Sequence, residues 1–314
     1  MPHRPLRLTV LSLLWLGVLM GLLKYGAQLL PGAVAQRLTV EGYSSLVQLV
    51  AMGFGLGLSY GILDTPRRDL GLEAAGRGRG VLFTALLAPA AYVAICYAAV
   101  GLALPTLREE LARGGVALVR SQGGAIISAM TGPGLLVPLL WAVVVSPLGE
   151  ELLFRGALWG AAQDLLLRAG SATGSRDLES EVPLERSLLF DVLGWTIRSG
   201  TAATLLTTAI FAALHADLRG SQGIVRVASA AGLALVCGVA RQSTGTLAAP
   251  LVLHVLLNAF ALASARRWVV SETFPKHYTV PTLVTLMAAV GLVCAAGVAI
   301  AERKASAHTA ERDR

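Results

Sequence analysis

Apolar residues in this chain are gathered into unbroken blocks, and the charged residues fall almost entirely in the gaps between them. A helix on the surface of a soluble protein would instead confine its apolar residues to one stripe. A hydrocarbon core about 30 Å thick is crossed by roughly 20 apolar residues in a helix. On that criterion the pattern predicts eight spans: Leu8–Leu23, Ser44–Leu63, Gly80–Leu104, Leu135–Leu167, Thr201–His215, Ile224–Ala240, Thr246–Ala263 and Pro281–Ile300. The expected fold class is an all-α integral membrane protein, a bundle of about eight transmembrane helices forming one polytopic domain over residues 1–314. The fourth block is anomalously long and would run about 50 Å as a straight helix. Pro147 in its middle removes a backbone donor. That block is expected to kink near Pro147, or to divide there into two elements and raise the count to nine.

The long connections are Pro105–Thr131 and Ala169–Gly200. The second holds an acidic tract, Ser171–Glu185, followed by Leu188, Phe190 and Trp195, which suit a short interfacial helix. Lys and Arg are more numerous in the gaps on the side that would hold both termini. By the positive-inside rule this predicts a multi-pass protein of the inner or plasma membrane with cytoplasmic termini. Arg4, Arg7 and the triplet Ala33-Val34-Ala35 imitate a signal peptide, but Lys24 and the residues after it set the triplet too far away. The first helix is expected to be retained.

Composition reinforces the pattern. Charged residues make up 14% and hydrophobic residues 55%, with mean hydropathy +0.67, against about 25% charged in a soluble domain. The net charge of +7 has no compact basic segment behind it. It reads as cationic loops against anionic lipid headgroups, and a nucleic-acid partner is not expected. Cys96, Cys237 and Cys294 sit inside apolar blocks without CxxC spacing, as small buried hydrophobes. Lys24, Lys276 and Lys304 are the only lysines among 26 basic residues. With abundant Ala and Gly, that bias suggests a GC-rich bacterial source.

Against this background the polar residues at membrane depth are few. Arg155 is the one basic residue read as lying deep within a block, accompanied by Glu150 and Glu151, with Asp164 near the end of the same segment. Intramembrane charges cost at least ~2.5–3.5 kcal/mol each and persist where they pair or do chemistry. Glu151 and Arg155, four apart, share a helix face, whereas Glu150 points about 100° away towards a different partner. A carboxylate beside another carboxylate suits general-base work on water; the bland reading is a helix-packing ion pair. His215 follows Phe211 at the end of the fifth block, and alone would read as an interfacial or hydrogen-bonding histidine. His254 and Asn258 share one face of the seventh block, and alone could serve as interhelical hydrogen bonds. Together the three stretches hold the inventory of a hydrolase: a base, electrostatic stabilisers and an amide donor for an oxyanion. Neither HExxH nor GxSxG occurs.

These residues resemble the CPBP family of intramembrane peptidases, which includes type II CAAX prenyl endopeptidases and bacteriocin-processing or Abi-like immunity relatives. The family's three motifs stand here as Glu150-Glu151-x-x-x-Arg155, Phe211-x-x-x-His215 and His254-x-x-x-Asn258, in order, within about residues 138–260. The resemblance implies hydrolysis of a peptide bond in a membrane-associated peptide or protein. By position, Glu150 would activate the water with help from His215, and His254 and Asn258 would stabilise the oxyanion. Glu151, Arg155 and Phe211 would support the site. The resemblance leaves the metal open. Glu150, His215 and His254 could form a zinc set with Glu151 as base, while the lack of an ordinary zinc motif favours glutamate catalysis without metal. A non-catalytic immunity or scaffold protein and a transporter using the same charges are the competing readings. A bacterial source would not supply prenylated CAAX proteins, so the eukaryotic substrate is not transferred.

Overall fold

Pro5 sits in the first turn of α1 (Arg4–Tyr25), where its missing N–H would be unpaired anyway, and the apolar block continues the helix without a break. The computed structural model of the protein describes residues 4–32, 40–65, 67, 69–72, 88–113, 139–174, 200–216 and 220–265. After α1 come α2 (Val40–Gly57), which continues as the π-helical turn Leu58–Ile62, and α3 (Ala88–Ala112). The helical run 139–174 is α4. It is followed by α5 (Thr201–Leu214), α6 (Gly220–Thr244) and α7 (Ala248–Ala265). No strand occurs among the described residues.

Two helical stretches, Arg4–Tyr25 and Gly223–Thr244, have the length and hydropathy to cross a bilayer. Leu46–Ile62, Ala88–Ala103, Thr201–Leu214 and Ala248–Ala259 are apolar but shorter. The described residues therefore establish an all-helical chain with two full-length span candidates. The expected eighth span, Pro281–Ile300, lies outside them, as do residues 80–87 of the third and the Ser171–Glu185 tract beyond Gly174.

The long fourth block is one element. Leu139–Val145 is π-helical, Ser146–Glu151 α-helical, Leu152–Leu158 π-helical again and Trp159–Gly174 α-helical. The junction residues Val145 (φ −68°, ψ −48°) and Leu152 (φ −60°, ψ −44°) keep ordinary right-handed helical dihedrals. Pro147 thus does not divide the element. It marks a change of hydrogen-bond register, from i→i+5 to i→i+4. Continuing the π register past Val145 would require the amide of Pro147 to serve the carbonyl of Ala142, and proline has none. Register changes of this kind are frequent at functional sites.

Helix α4 is the hub, packed against α1, α2, α5, α6 and α7. Its core partners include Leu8, Leu11 and Trp15 of α1 and Phe211 of α5, around Leu153, Phe154 and Ala157. Small residues allow close approach: a Cβ on Gly55 would fall inside the Trp15 ring, and one on Gly232 would meet Ile95 at 2.7 Å. At the far end of α4, Asp164 Oδ2 and Asp69 Oδ1 lie 3.3 and 3.1 Å from Arg4 Nε.

A second buried cation corrects the sequence reading, which placed Arg241 in a loop and left Arg155 as the one deep basic residue. Arg241 is 5% exposed. Helix α6 runs four residues beyond the expected end of its apolar block, to Thr244, and carries Arg241 against α4. Its Nε donates to the carbonyl of Arg155 at 3.1 Å, its Nη1 donates to the carbonyl of Gly245, and its guanidinium lies 5.2 Å from the Trp159 ring centroid. Gly71 (φ +73°) and Gly245 (φ +75°) take the left-handed turns that surround it, and the Leu247 amide donates to the Gly71 carbonyl at 2.8 Å.

Candidate active site

Two consecutive carboxylates on α4 meet one imidazole from α7. Glu151 Oε1 is 2.7 Å from His254 Nδ1 and 3.1 Å from Arg155 Nη1. All three side chains are no more than 2% exposed. Glu150 Oε2 lies 3.8 Å from His254 Nε2, and Glu150 Oε1 accepts from Ser146 Oγ at 2.5 Å. The spacing argument expected the two glutamates to face different partners. They instead flank the same ring, because His254 enters edge-on between them.

The contacts fix the histidine. A carboxylate already paired with a guanidinium only accepts, so His254 Nδ1 carries the proton and Nε2 turns an acceptor towards Glu150. In the neutral ring, then, His254 has no donor facing the Glu150 side. It can donate there only after gaining a second proton, whose charge Glu151 is placed to balance.

His215 caps the C-terminus of α5 at φ −95°, ψ 1°. Its Nδ1 lies 2.8 Å from the carbonyl of Phe211. A carbonyl only accepts, so His215 too presents Nε2 as an acceptor. The imidazole stacks on the Phe211 ring with centroids 4.3 Å apart, and Arg155 Cζ lies 5.0 Å from the same ring. Phe154 meets Phe211 edge-on at 4.9 Å. Phe211 is thus the packing link between the Arg155 helix and His215.

Asn258, one turn beyond His254, donates from Nδ2 to the carbonyl of Ala142 at 2.7 Å. The amide has two N–H groups, and one of them is committed to α4. Gly149 is required to be small: a Cβ there would sit 2.9 Å from Gln48 Oε1 of α2.

A metal was conceivable on Glu150, His215 and His254. Among the described residues, the group whose donor atoms lie within 4.8 Å of one another is Glu151, Cys237 and His254, all buried. Cys237 entered the sequence reading only as a small hydrophobe. Two ligands of one tetrahedral zinc stand about 3.4 Å apart at normal bond lengths. Glu151 and His254 are closer than that because they hydrogen-bond each other, and Arg155 holds the same carboxylate oxygen. Glu151 Oε2 is buried without a hydrogen-bond partner, but with Oε1 committed to His254 and Arg155 the trio does not fit a zinc ion as arranged.

Three residues beyond the motifs therefore belong to this region: Ser146, Cys237 and Arg241. For Ser146 a signal was available in the sequence, its one-turn spacing before Glu150.

Apolar helices α4 and α7 thus enclose a buried Glu–Arg–His cluster. Residues 132–260 match the family model described as type II CAAX prenyl endopeptidase Rce1-like, a protease family. The matched segment, 129 of the 314 residues, carries all three motifs and is similar to the CPBP family. No curated protein and no solved structure gives a match.

Proposed function

We propose that the chain is an intramembrane endopeptidase in which Glu150 activates water against a peptide bond of a membrane-associated peptide or protein. The observation that supports this best is the placement of Glu150 Oε2 3.8 Å from His254 Nε2, with Glu151 holding the far side of the ring. Glu150 takes a proton from water as the water oxygen bonds to the scissile carbonyl carbon. The proton passes to His254 Nε2, and the resulting imidazolium donates to the oxyanion, its charge balanced by Glu151. The free N–H of Asn258 supplies a second, neutral donor of the kind that stabilises tetrahedral intermediates. Collapse breaks the C–N bond, and the proton returns through Glu150 to the leaving amine. His215 Nε2 assists as an acceptor for the water.

Peptidase activity is also what the family carries. The prenylated CAAX tail in the family's description is a substrate to be assayed, not assumed. Eight spans, with the substrate entering from the cytoplasmic half, complete the picture we propose. The deciding experiment incubates purified protein in liposomes with a membrane-peptide library and compares Glu150→Gln. Cleavage by the wild type alone is expected, with both proteins unfolding at the same temperature. Equal turnover by Glu150→Gln would remove Glu150 from the base role.

A further inference from the structure

Ser146 differs from four other helix hydroxyls. Thr9, Ser12, Thr207 and Thr244 each donate to the carbonyl four residues back, at 2.7, 2.7, 2.9 and 2.7 Å. Back-bonding of this kind is the ordinary outcome for Ser and Thr inside a helix. The corresponding acceptor for Ser146 is the carbonyl of Ala142, and Asn258 Nδ2 already donates to it. The Ser146 hydroxyl turns the other way, one turn forward, and donates to Glu150 Oε1 at 2.5 Å. We infer that Ser146 is a positioning residue for the candidate base: it fixes one carboxylate oxygen of Glu150 and so leaves Oε2 aimed at His254.

The inference rests on Glu150 being the base, and it links α7 and α4. Asn258 donates to the Ala142 carbonyl, while the Ser146 hydroxyl turns forward and orients the carboxylate. Without that hydroxyl, Glu150 is free to rotate about its side-chain torsions, and the fraction of time Oε2 faces the ring falls. The hydroxyl touches no substrate, so the loss appears in kcat and not in KM. A hydrogen bond to a charged group supports an expectation of about tenfold.

The test uses the full-length protein in detergent as wild type, Ser146→Ala, Ser146→Thr and Glu150→Gln, each checked for an unchanged unfolding temperature. Infrared difference spectra against Glu150→Gln isolate the carboxylate stretch of Glu150. Ser146→Ala is expected to displace that band and Ser146→Thr to retain it; an undisplaced band in Ser146→Ala overturns the inference. In parallel, a quenched fluorogenic transmembrane peptide is assayed. Ser146→Ala should lose about tenfold in kcat with KM within about twofold, and Ser146→Thr should recover it. Wild-type kcat in Ser146→Ala overturns the positioning role. Cleavage retained by Glu150→Gln removes Glu150 from the base role, and a peptide that no form cleaves counts against the peptidase reading; in both cases the infrared band decides whether Ser146 positions the carboxylate.

Discussion

The side-chain amide of Asn258 donates to the main-chain carbonyl of Ala142 at 2.7 Å, joining α7 to the π-helical start of α4. Asn258 is the one-turn neighbour of His254, so one face of α7 carries both contacts to the helix that holds the glutamates. Asn258 had two readings, an oxyanion donor and an interhelical hydrogen bond, and this contact is of the second kind.

The strength of this contact is measurable. Asn258→Ala removes the donor that α7 offers to the Ala142 carbonyl and should cost about 0.5–1.5 kcal/mol in unfolding free energy. Thermal unfolding beside the wild type reads the loss. A variant that unfolds with the wild type would show that the hydrogen bond adds nothing to stability.

The Glu151–Arg155 pair is a supporting contact at 3.1 Å, with both side chains 1% exposed. Arg155→Ala leaves Glu151 buried without its cation and should destabilise the protein by about 3–5 kcal/mol. It should also lower cleavage, because Glu151 would no longer hold His254 at Nδ1. Glu150→Gln, by contrast, should leave stability within about 0.5 kcal/mol, since Glu150 makes no ion pair with Arg155. Unfolding temperatures in one detergent, compared across the two variants, check both statements. An Arg155→Ala protein that unfolds with the wild type would sink the first.

Much of this site was legible in the sequence because burying a charge in an apolar block is costly, so Glu150, Glu151, Arg155 and His254 stand out wherever they occur. Spacing correctly paired Glu151 with Arg155, since one helical turn is a local relation. It could not show that both glutamates flank His254, which depends on how α7 crosses α4, or that Asn258 reaches Ala142. Arg241 was misread for a related reason. A block of apolar residues ends where the first charge appears, but the helix itself runs four residues past Ala240, to Thr244. The long fourth block was readable as irregular at Pro147, whereas its register changes reside in backbone hydrogen bonds that composition does not record.

Arg241 and Gly71 should behave as one unit. A Cβ on Gly71 would fall 2.5 Å from the Arg241 guanidinium carbon, and φ +73° already disfavours any other residue. Gly71→Ala and Arg241→Gln should each destabilise by about 2–3 kcal/mol, and the double variant by much less than their sum. Full additivity in thermal unfolding would mean that the two residues act separately.

The final prediction concerns metal. The buried donors closest to a ligand set are Glu151, Cys237 and His254. To take up zinc, Glu151 would have to release its contact with His254 Nδ1, and the thiol would have to lose its proton. Arg155 would remain beside the ion, a cation near a cation. Glu151 Oε1 and His254 Nδ1 hold each other without an ion, and Glu150 Oε2 is left to act on water. Purified protein should therefore carry well under one equivalent of zinc, and peptide cleavage should persist after chelation and desalting. Cys237→Ala should change neither result, because the thiol is placed beside the site and does not take part in it. One tightly held zinc per chain, lost in Cys237→Ala together with activity, would instead identify this trio as a metal centre and displace Glu150 activation as the mechanism.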